Sequence, residues 1–306
     1  MKIMVTGGAG FIGSHVVDRL VNEGHDVSVL DDLSTGLAVN INKGAKLYEG
    51  DVKRQAGIIL KIVRPDFLIH HAAQIDVRSS VEDPLNDARQ NIIGSLSLIE
   101  ACREYGIHKI VFASSGGTVY GNSDDLPIKE SAELKPENPY GIAKATIEKY
   151  LQFYFEKYGI DYVALRYSNV YGPRQNPKGE AGVISVFIDQ MLKEETPCIW
   201  GDGNQTRDFV YVEDVVNANL AALRYSGNNH IFNIGSQQET SVNEVFDILR
   251  PTLDSKEPSY NPEYKEPISR IYLDSSLALQ ELNWKPKIGL DEGIKRTVEW
   301  FKGEKR

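Results

Sequence analysis

Thr6-Gly7-Gly8-Ala9-Gly10-Phe11-Ile12-Gly13-Ser14 decides how the chain is read. An apolar run that starts at Lys2 leads into it, and a helical pattern leads out of it toward Gly24. The segment is therefore a strand, a turn and a helix. Gly8, Gly10 and Gly13 fit the spacing G-x-G-x-x-G, and Gly7, Gly10 and Gly13 fit the variant G-x-x-G-x-x-G. One glycine permits the tight turn, one lets backbone approach a pyrophosphate, and one lets the helix sit close on its strand. The helix N-terminal N–H groups then point at phosphate. A second apolar strand, Val27 to Leu30, ends at Asp31, 18 residues past Gly13. A carboxylate there takes ribose hydroxyls and repels a 2′-phosphate, so Asp31 predicts NAD in preference to NADP.

The rest of the composition bounds the function. The chain has 306 residues, 41% apolar and 25% charged, which is enough for a substantial core and predicts two unequal lobes. A formal charge of −9 argues against nucleic acid or an acidic membrane as the main partner, because both demand a basic face. Cys102 and Cys198 lie in apolar helix and strand contexts without metal-ligand spacing. They read as buried packing residues, no metal site is expected, and a reducing, cytoplasmic location is the default. The first strand begins too early for a signal peptide, and no apolar run approaches the length of a membrane span.

Apolar strands alternate with helical patterns through the first half. Strands are predicted at Ile3–Thr6, Val27–Leu30, Lys46–Glu49, Phe67–His70, Lys109–Ala113 and Tyr162–Arg166. Helices are predicted at Phe11–Asn22, Gly57–Val63, Asp87–Tyr105 and Tyr140–Tyr158. Such alternation implies an α/β fold with a doubly wound parallel sheet of the Rossmann kind. The last helix is sharply bounded, with Asn138 as N-cap, Pro139 at the first helical position and Gly159 at its far end. After Gly172-Pro173 the segments shorten and are separated by Gly, Pro and Asn, as in Pro197–Gly203, Gly235–Thr240 and Lys256–Pro267. Residues 1–172 are expected to form the NAD-binding domain and 173–306 a smaller α/β lobe for substrate. The helix Val212–Leu223 and strand His230–Ile234, within residues 211–236, are apolar enough to return to the first sheet.

Tyr140 and Lys144 stand four apart at the start of that helix, so their side chains share one face, one turn apart. An ammonium beside a phenol favours the phenolate, lowering a pKa of about 10 toward the range a general base needs at neutral pH.

With these residues in place the chain resembles the extended short-chain dehydrogenase/reductases, and within them the nucleotide-sugar epimerases of the UDP-glucose 4-epimerase type. The resemblance rests on Thr6–Ser14, Asp31, Asn91-Ile-Ile-Gly94, Tyr140-Gly-Ile-Ala-Lys144, Leu165-Arg-Tyr-Ser-Asn-Val-Tyr-Gly-Pro173, Arg207-Asp-Phe-Val-Tyr-Val-Glu-Asp214 and Tyr272-Leu-Asp-Ser-Ser-Leu-Ala278. It implies that NAD lies on Gly7, Gly10, Phe11, Ile12, Gly13, Asp31 and Asp32, with Asp51 and Val52 near the adenine. Ala72, Ala73, Gln74 and Tyr167 would line the cofactor, or the three strand-end residues simply pack. Asn91 would sit near the reaction, or be held by its own backbone. Lys144 would both bind the nicotinamide ribose and polarise Tyr140.

The hydroxyl that the family sets beside its tyrosine is displaced. In Ala113-Ser-Ser-Gly-Gly-Thr-Val-Tyr-Gly121 that position falls on Gly116. Ser115 is the first candidate and Thr118 the second. The related 4,6-dehydratases carry an Asp-Glu pair where Gly117-Thr118 stand, so the acid and base for removing water are missing here. For the substrate, the resemblance matches Asn169 to a substrate-contacting asparagine. Arg207 matches a phosphate-binding arginine, with an ion pair to Asp208 or Glu213 as its alternative use. The family's second arginine is replaced by Tyr264, and Lys265 or Arg270 would compensate. Trp200 lies near the nucleobase or fills the lobe.

The resemblance thus implies NAD-dependent epimerisation of a UDP-sugar at C4. The alternatives are a dehydratase or decarboxylase on the same scaffold, and a non-catalytic dinucleotide sensor. The helices Asp87–Tyr105 and Tyr140–Tyr158 resemble the pair that forms dimer interfaces in the family, so a homodimer is expected.

Overall fold

The computed structural model describes residues 1–178, 182–261, 263 and 268–304. Seven strands form the central sheet: β1 Lys2–Thr6, β2 Asp26–Asp31, β3 Lys46–Glu49, β4 Phe67–His70, β5 Lys109–Ser115, β6 Asp161–Tyr167 and β7 Ile231–Ile234. Their order is β7-β6-β5-β4-β1-β2-β3, and every pair is parallel. The chain turns back between β1 and β4, where open parallel sheets bind ligands at their carboxyl ends.

Alternation along the strands feeds two cores, as a parallel sheet covered on both faces requires. Ile3, Val5, Val29, Val111, Val163 and Leu165 face helices Phe11–Asn22 and Val212–Arg224. Met4, Leu30, Leu68, Ile110, Phe112 and Ala164 face helices Val52–Val63, Gly94–Tyr105 and Pro139–Tyr158. A third core, around Phe187, Phe246, Leu249 and Val298, belongs to the helices Val183–Leu192, Val242–Leu253 and Leu290–Glu304. Phe11 joins this third cluster, so the glycine loop packs against the second lobe. No helix among the described residues is long and apolar enough to cross a membrane.

Several details differ from the sequence pattern. The second helix starts at Val52 rather than Gly57, because the Asp51 carboxylate accepts from the Lys53 N–H at 2.8 Å and caps it. The span Asp87–Tyr105 is not one α-helix: Ala88–Ile93 is a π-helical turn, followed by the α-helix Gly94–Tyr105. β5 runs on to Ser115, carrying Ser114 and Ser115 into register with Arg166 and Tyr167. Cys102 is fully buried as a packing residue should be, whereas Cys198 is only half-buried.

Asp208 ties three distant segments together. Its Oδ1 accepts from the Ser236 N–H at 2.6 Å and the Ser236 hydroxyl at 2.7 Å, and its Oδ2 accepts from the Leu273 N–H at 3.2 Å. A Cβ on Gly235 would fall 2.2 Å from that Oδ2, so the chain after β7 passes where only glycine fits. Burial pushes the Asp208 carboxyl pKa up, against the hydrogen bonds that lower it. Removing the carboxylate orphans these buried donors, so Asp208→Ala is expected to lower unfolding free energy by about 2–4 kcal/mol. Urea denaturation measures this, and a loss below about 0.5 kcal/mol, the level of an ordinary surface change, contradicts it.

Candidate functional site

The glycine loop is shaped by close approach. Gly7 has φ +69°, and a Cβ there would lie 2.6 Å from the Ala72 nitrogen. A Cβ on Gly13 would lie 2.2 Å from the Gly7 carbonyl oxygen, which brings helix Phe11–Asn22 down onto the loop. Gly10, the N-cap, makes no side-chain cap bond, so the helix N-terminus keeps donors for a phosphate. The bare backbone cradle at the β1–β4 switch point fits a dinucleotide pyrophosphate.

Asp31, at the end of β2, is buried and does more than await a ribose. Its Oδ2 accepts from the Ala9 N–H and its Oδ1 from the Leu33 N–H, both at 2.9 Å. Burial raises its pKa while these bonds oppose the rise. It therefore braces the glycine loop, with lone pairs left on both oxygens for ribose hydroxyls. Asp32 Oδ1 accepts from the Ser34 N–H and hydroxyl.

Beyond β4 the loop Ala72-Ala73-Gln74 is clamped from the π-helical turn. Asn91 is buried; its Oδ1 accepts from the Gln74 N–H and its Nδ2 donates to the Gln74 carbonyl, both at 2.8 Å. Asp87 Oδ1 accepts from Asn91 Nδ2 at 2.8 Å and from Gln74 Nε2 at 3.1 Å. The Asn91 amide is therefore not held by its own helix's backbone: from the π turn it bonds the Gln74 backbone and the Asp87 carboxylate four residues earlier.

Lys144 is 4% exposed, and its Nζ donates to the Ala113 carbonyl at 2.7 Å. It lies 4.9 Å from the Phe112 ring centre and 5.5 Å from the Tyr140 ring centre. Burial lowers its pKa to about 8, with the Asp87 and Glu148 carboxylates opposing the fall. Tyr140, Ser114 and Ser115 line a pocket of about 250 Å³ with Phe11, Ile12, Tyr167 and Asn169. Asn169 is exposed and starts the strand Asn169–Tyr171, which pairs with Phe209–Tyr211. Thr118 Oγ1 is buried without a hydrogen-bond partner among the described residues. A side chain at Gly116 would require Leu273 to move, because its Cβ would fall 2.5 Å from Leu273 Cδ1. A larger open depression of about 770 Å³, lined by Lys129, Phe155, Tyr162 and His230, includes neither the glycine loop nor Tyr140.

The remaining expected residues are spread more widely. The Tyr167 hydroxyl engages Asn219 and, at 3.3 Å, His71 Nε2. Arg207 donates to the Thr206 carbonyl at 2.7 Å, while Asp208 serves Ser236 and Glu213 accepts from Arg296 at 3.2 Å. Arg270 closes its fork on Glu239 at 2.6 and 2.7 Å, beside Thr206, with which it forms a β-bridge. Tyr264 and Lys265 lie outside the described residues. Trp200 is 43% exposed, so it does not fill the lobe's core; the Arg78 guanidinium stands 4.9 Å over its ring. No cluster among the described residues could hold a metal ion.

Sequence reading missed the support beneath the site. Glu148, four residues past Lys144, forms a buried pair with Arg166 at 2.6 Å and accepts from the Ser114 hydroxyl at 2.5 Å. Its spacing of four and eight from Lys144 and Tyr140 was the available signal. His70 and His71 are held down to about 3 by burial and the nearby Lys144 charge, so both are neutral.

The buried lysine predicts a pH-dependent stability. It titrates near 10.5 when exposed and about 8 in the fold. Between these values the unfolded chain holds more protons, so raising pH favours folding; below pH 8 both states are charged and the full desolvation cost stands. The wild type should therefore gain on Lys144→Met by on the order of 3 kcal/mol between pH 7 and pH 10.5. Parallel denaturation curves across that range test it, and a constant difference contradicts it.

Comparison with known proteins agrees with this geometry. The model of the NAD dependent epimerase/dehydratase family matches residues 3–235. A putative UDP-glucose 4-epimerase from Methanocaldococcus jannaschii is 52% identical over 99% of both chains. The crystal structure of a Thermotoga maritima UDP-glucose 4-epimerase with UDP-glucose superposes with TM-score 0.97 and 46% identity, covering 100% of each chain. That of a Thermus thermophilus UDP-glucose 4-epimerase with NAD has TM-score 0.93 and 39% identity over 99% of each. A pyrophosphate cradle at the switch point, a tyrosine and buried lysine one turn apart, and full-length likeness converge: this chain belongs to the NAD-dependent epimerase/dehydratase family.

Proposed function

We propose that the chain is an NAD-dependent UDP-sugar 4-epimerase of the UDP-glucose/UDP-galactose type, acting through a transient 4-keto sugar. The observation that carries this reading is Tyr140 in a pocket shared with Phe11 and Ile12 at the head of the helix after the glycine loop, one helical turn from a buried lysine. Likeness to enzymes with UDP-glucose and with NAD supports it. NAD, when bound, supplies a reversible hydride acceptor, so oxidation at C4 and reduction on the other face leave it unchanged.

The chain's own residues manage the proton and the pose. Below pH 8 Lys144 is charged and favours the Tyr140 phenolate, which takes the proton of the 4-hydroxyl and later returns it. Ser115, at the end of β5 in the same pocket, donates to O4; Thr118 is the alternative donor. Arg207 holds the diphosphate, Asn169 contacts the substrate from the Tyr140 pocket, and Arg270 serves as a second cation if Glu239 yields it. Gly117 and Thr118 carry no carboxylate for loss of water, and the described atoms that a Cβ at Gly117 would meet are Ser115 Oγ and Asn169 Oδ1, each at 3.9 Å.

A homodimer fits the exposed apolar side chains on the spans 87–105 and 140–158, Ile93, Ile142, Tyr150 and Phe153. Two unpaired cysteines fit a reducing cytoplasm.

Incubation with a panel of UDP-hexoses, read by NMR, tests the activity: interconversion at C4 alone is expected, and net loss of water or CO2 refutes it. Tyr140→Phe should cut turnover at least about 10²-fold with NAD and UDP-sugar binding retained. Ser115→Ala should slow turnover strongly and Thr118→Val little; the reverse order moves the role to Thr118.

A further inference from the structure

Lys144 is a buried charge, and most of the groups packed around it cannot balance it. On its own helix Glu148 is already engaged, since Arg166 on β6 pairs with it at 2.6 Å and the pair is neutral as a whole. On β4 His70 and His71 are neutral. β5 holds the ammonium by the Ala113 carbonyl, a neutral acceptor. Glu100 and Arg103, on helix Gly94–Tyr105, pair with each other at 2.9 Å near the surface. Arg78 on helix Val77–Glu82 and Arg89 on the π turn are exposed cations. That leaves Asp87.

Asp87 closes the short helix Pro84–Asp87, which together with the π turn packs on helix Pro139–Tyr158. It is 1% exposed, as enclosed as Lys144. Its Oδ1 accepts from Asn91 Nδ2 at 2.8 Å and from Gln74 Nε2 at 3.1 Å. Those amides cannot be turned over, because Asn91 Oδ1 already accepts from the Gln74 N–H and Gln74 Oε1 from the Asp76 N–H. Two donors on one oxygen fit an ionised carboxylate. Neither Asp87 nor Lys144 joins an ion pair among the described residues, so two buried opposite charges are left to each other, with protein rather than solvent around them. The attraction is mutual. Lys144 opposes the burial that raises the Asp87 pKa, and Asp87 comes before Glu148 in opposing the burial that lowers that of Lys144.

We propose that Asp87 is the countercharge that keeps the Lys144 ammonium charged beside Tyr140, a positioning residue that acts through Lys144 and not on substrate. This rests on the reading of Tyr140 and Lys144 as the pair that handles the proton. The bonds to Asn91 and Gln74 fix where the negative charge stands, so one residue both clamps the loop after β4 and sustains the base.

Asp87→Asn keeps the shape and the acceptor oxygen and removes the charge. With lysines labelled at 13Cε, NMR titration should find Lys144 losing its proton near pH 8 in the unmodified chain and about one pH unit lower in the variant. In the epimerisation assay the alkaline limb of kcat should move down with it, because a neutral lysine no longer favours the phenolate. Asp83→Asn, which removes an exposed charge four residues earlier, should move neither. An unmoved Lys144 titration overturns the proposal, and so does a loss of turnover that is equal at every pH, the mark of a merely structural role. If Asp87→Asn does not fold, the unmodified chain still decides. 13C NMR of its aspartates should show Asp87 ionised from about pH 6 to 8, and a carboxyl that stays protonated there overturns the proposal. A Lys144 shift without any epimerisation upholds the countercharge and refutes the reaction.

Discussion

The buried pair between Glu148 and Arg166 fixes the geometry on which the site depends. Glu148 lies on the helix that carries Tyr140 and Lys144; Arg166 lies on β6, next to the strand that ends in Ser115. Both are almost wholly enclosed, at 2% and 3% exposure, so the pair recovers its desolvation cost only through further hydrogen bonds. It has them. Arg166 Nη1 donates to the Tyr120 hydroxyl at 2.8 Å, which donates to Asn233 on β7 at 2.7 Å, and Ser114 donates to Glu148. Helix Pro139–Tyr158 thus cannot rotate or slide on β5 and β6 without leaving charges unpaired in the interior. The phenol and ammonium are aimed by a network that reaches the pocket only at Ser114.

What was legible in the sequence was local. The glycine loop follows from spacing, because Gly13 must clear the Gly7 carbonyl within the motif itself, although Ala72 and Asp31 complete its demands from outside. The Tyr140–Lys144 face follows from helix period, and the helix bounds from Asn138, Pro139 and Gly159, with Asn138 Oδ1 accepting from the Gly141 N–H at 2.8 Å and Gly159 at φ +71°. What was not legible joins distant segments. Asp208 sits in a quoted motif, yet its clamp on Ser236 and Leu273 depends on where two later turns pass. Asn91 reads as an ordinary helical residue until the π turn is known. Asp214 likewise shows its use only in the fold, accepting from the Lys287 and Ile288 N–H groups at 2.9 Å and so anchoring the approach to the last helix.

The division of labour between strand ends and helix faces explains why the chemistry can be compact. Strand ends supply Ser115 and the backbone carbonyl of Ala113 that holds Lys144, and loops supply the cofactor cradle. The second lobe closes the site through residues that pack on the first, Phe11 and Tyr171 sharing one core with Phe187 and Phe209. The third core is therefore completed by apolar side chains from the glycine-loop helix and the strand Asn169–Tyr171.

Leu273 gives this closure a mutational signature. Its side chain occupies the space that a Cβ at Gly116 would need, although the two residues lie on different lobes and far apart in the chain. Substitutions at these two sites are not independent. A side chain at position 116 requires the Leu273 side chain to shift or shrink, so the effects of substitutions at the two positions are coupled rather than additive.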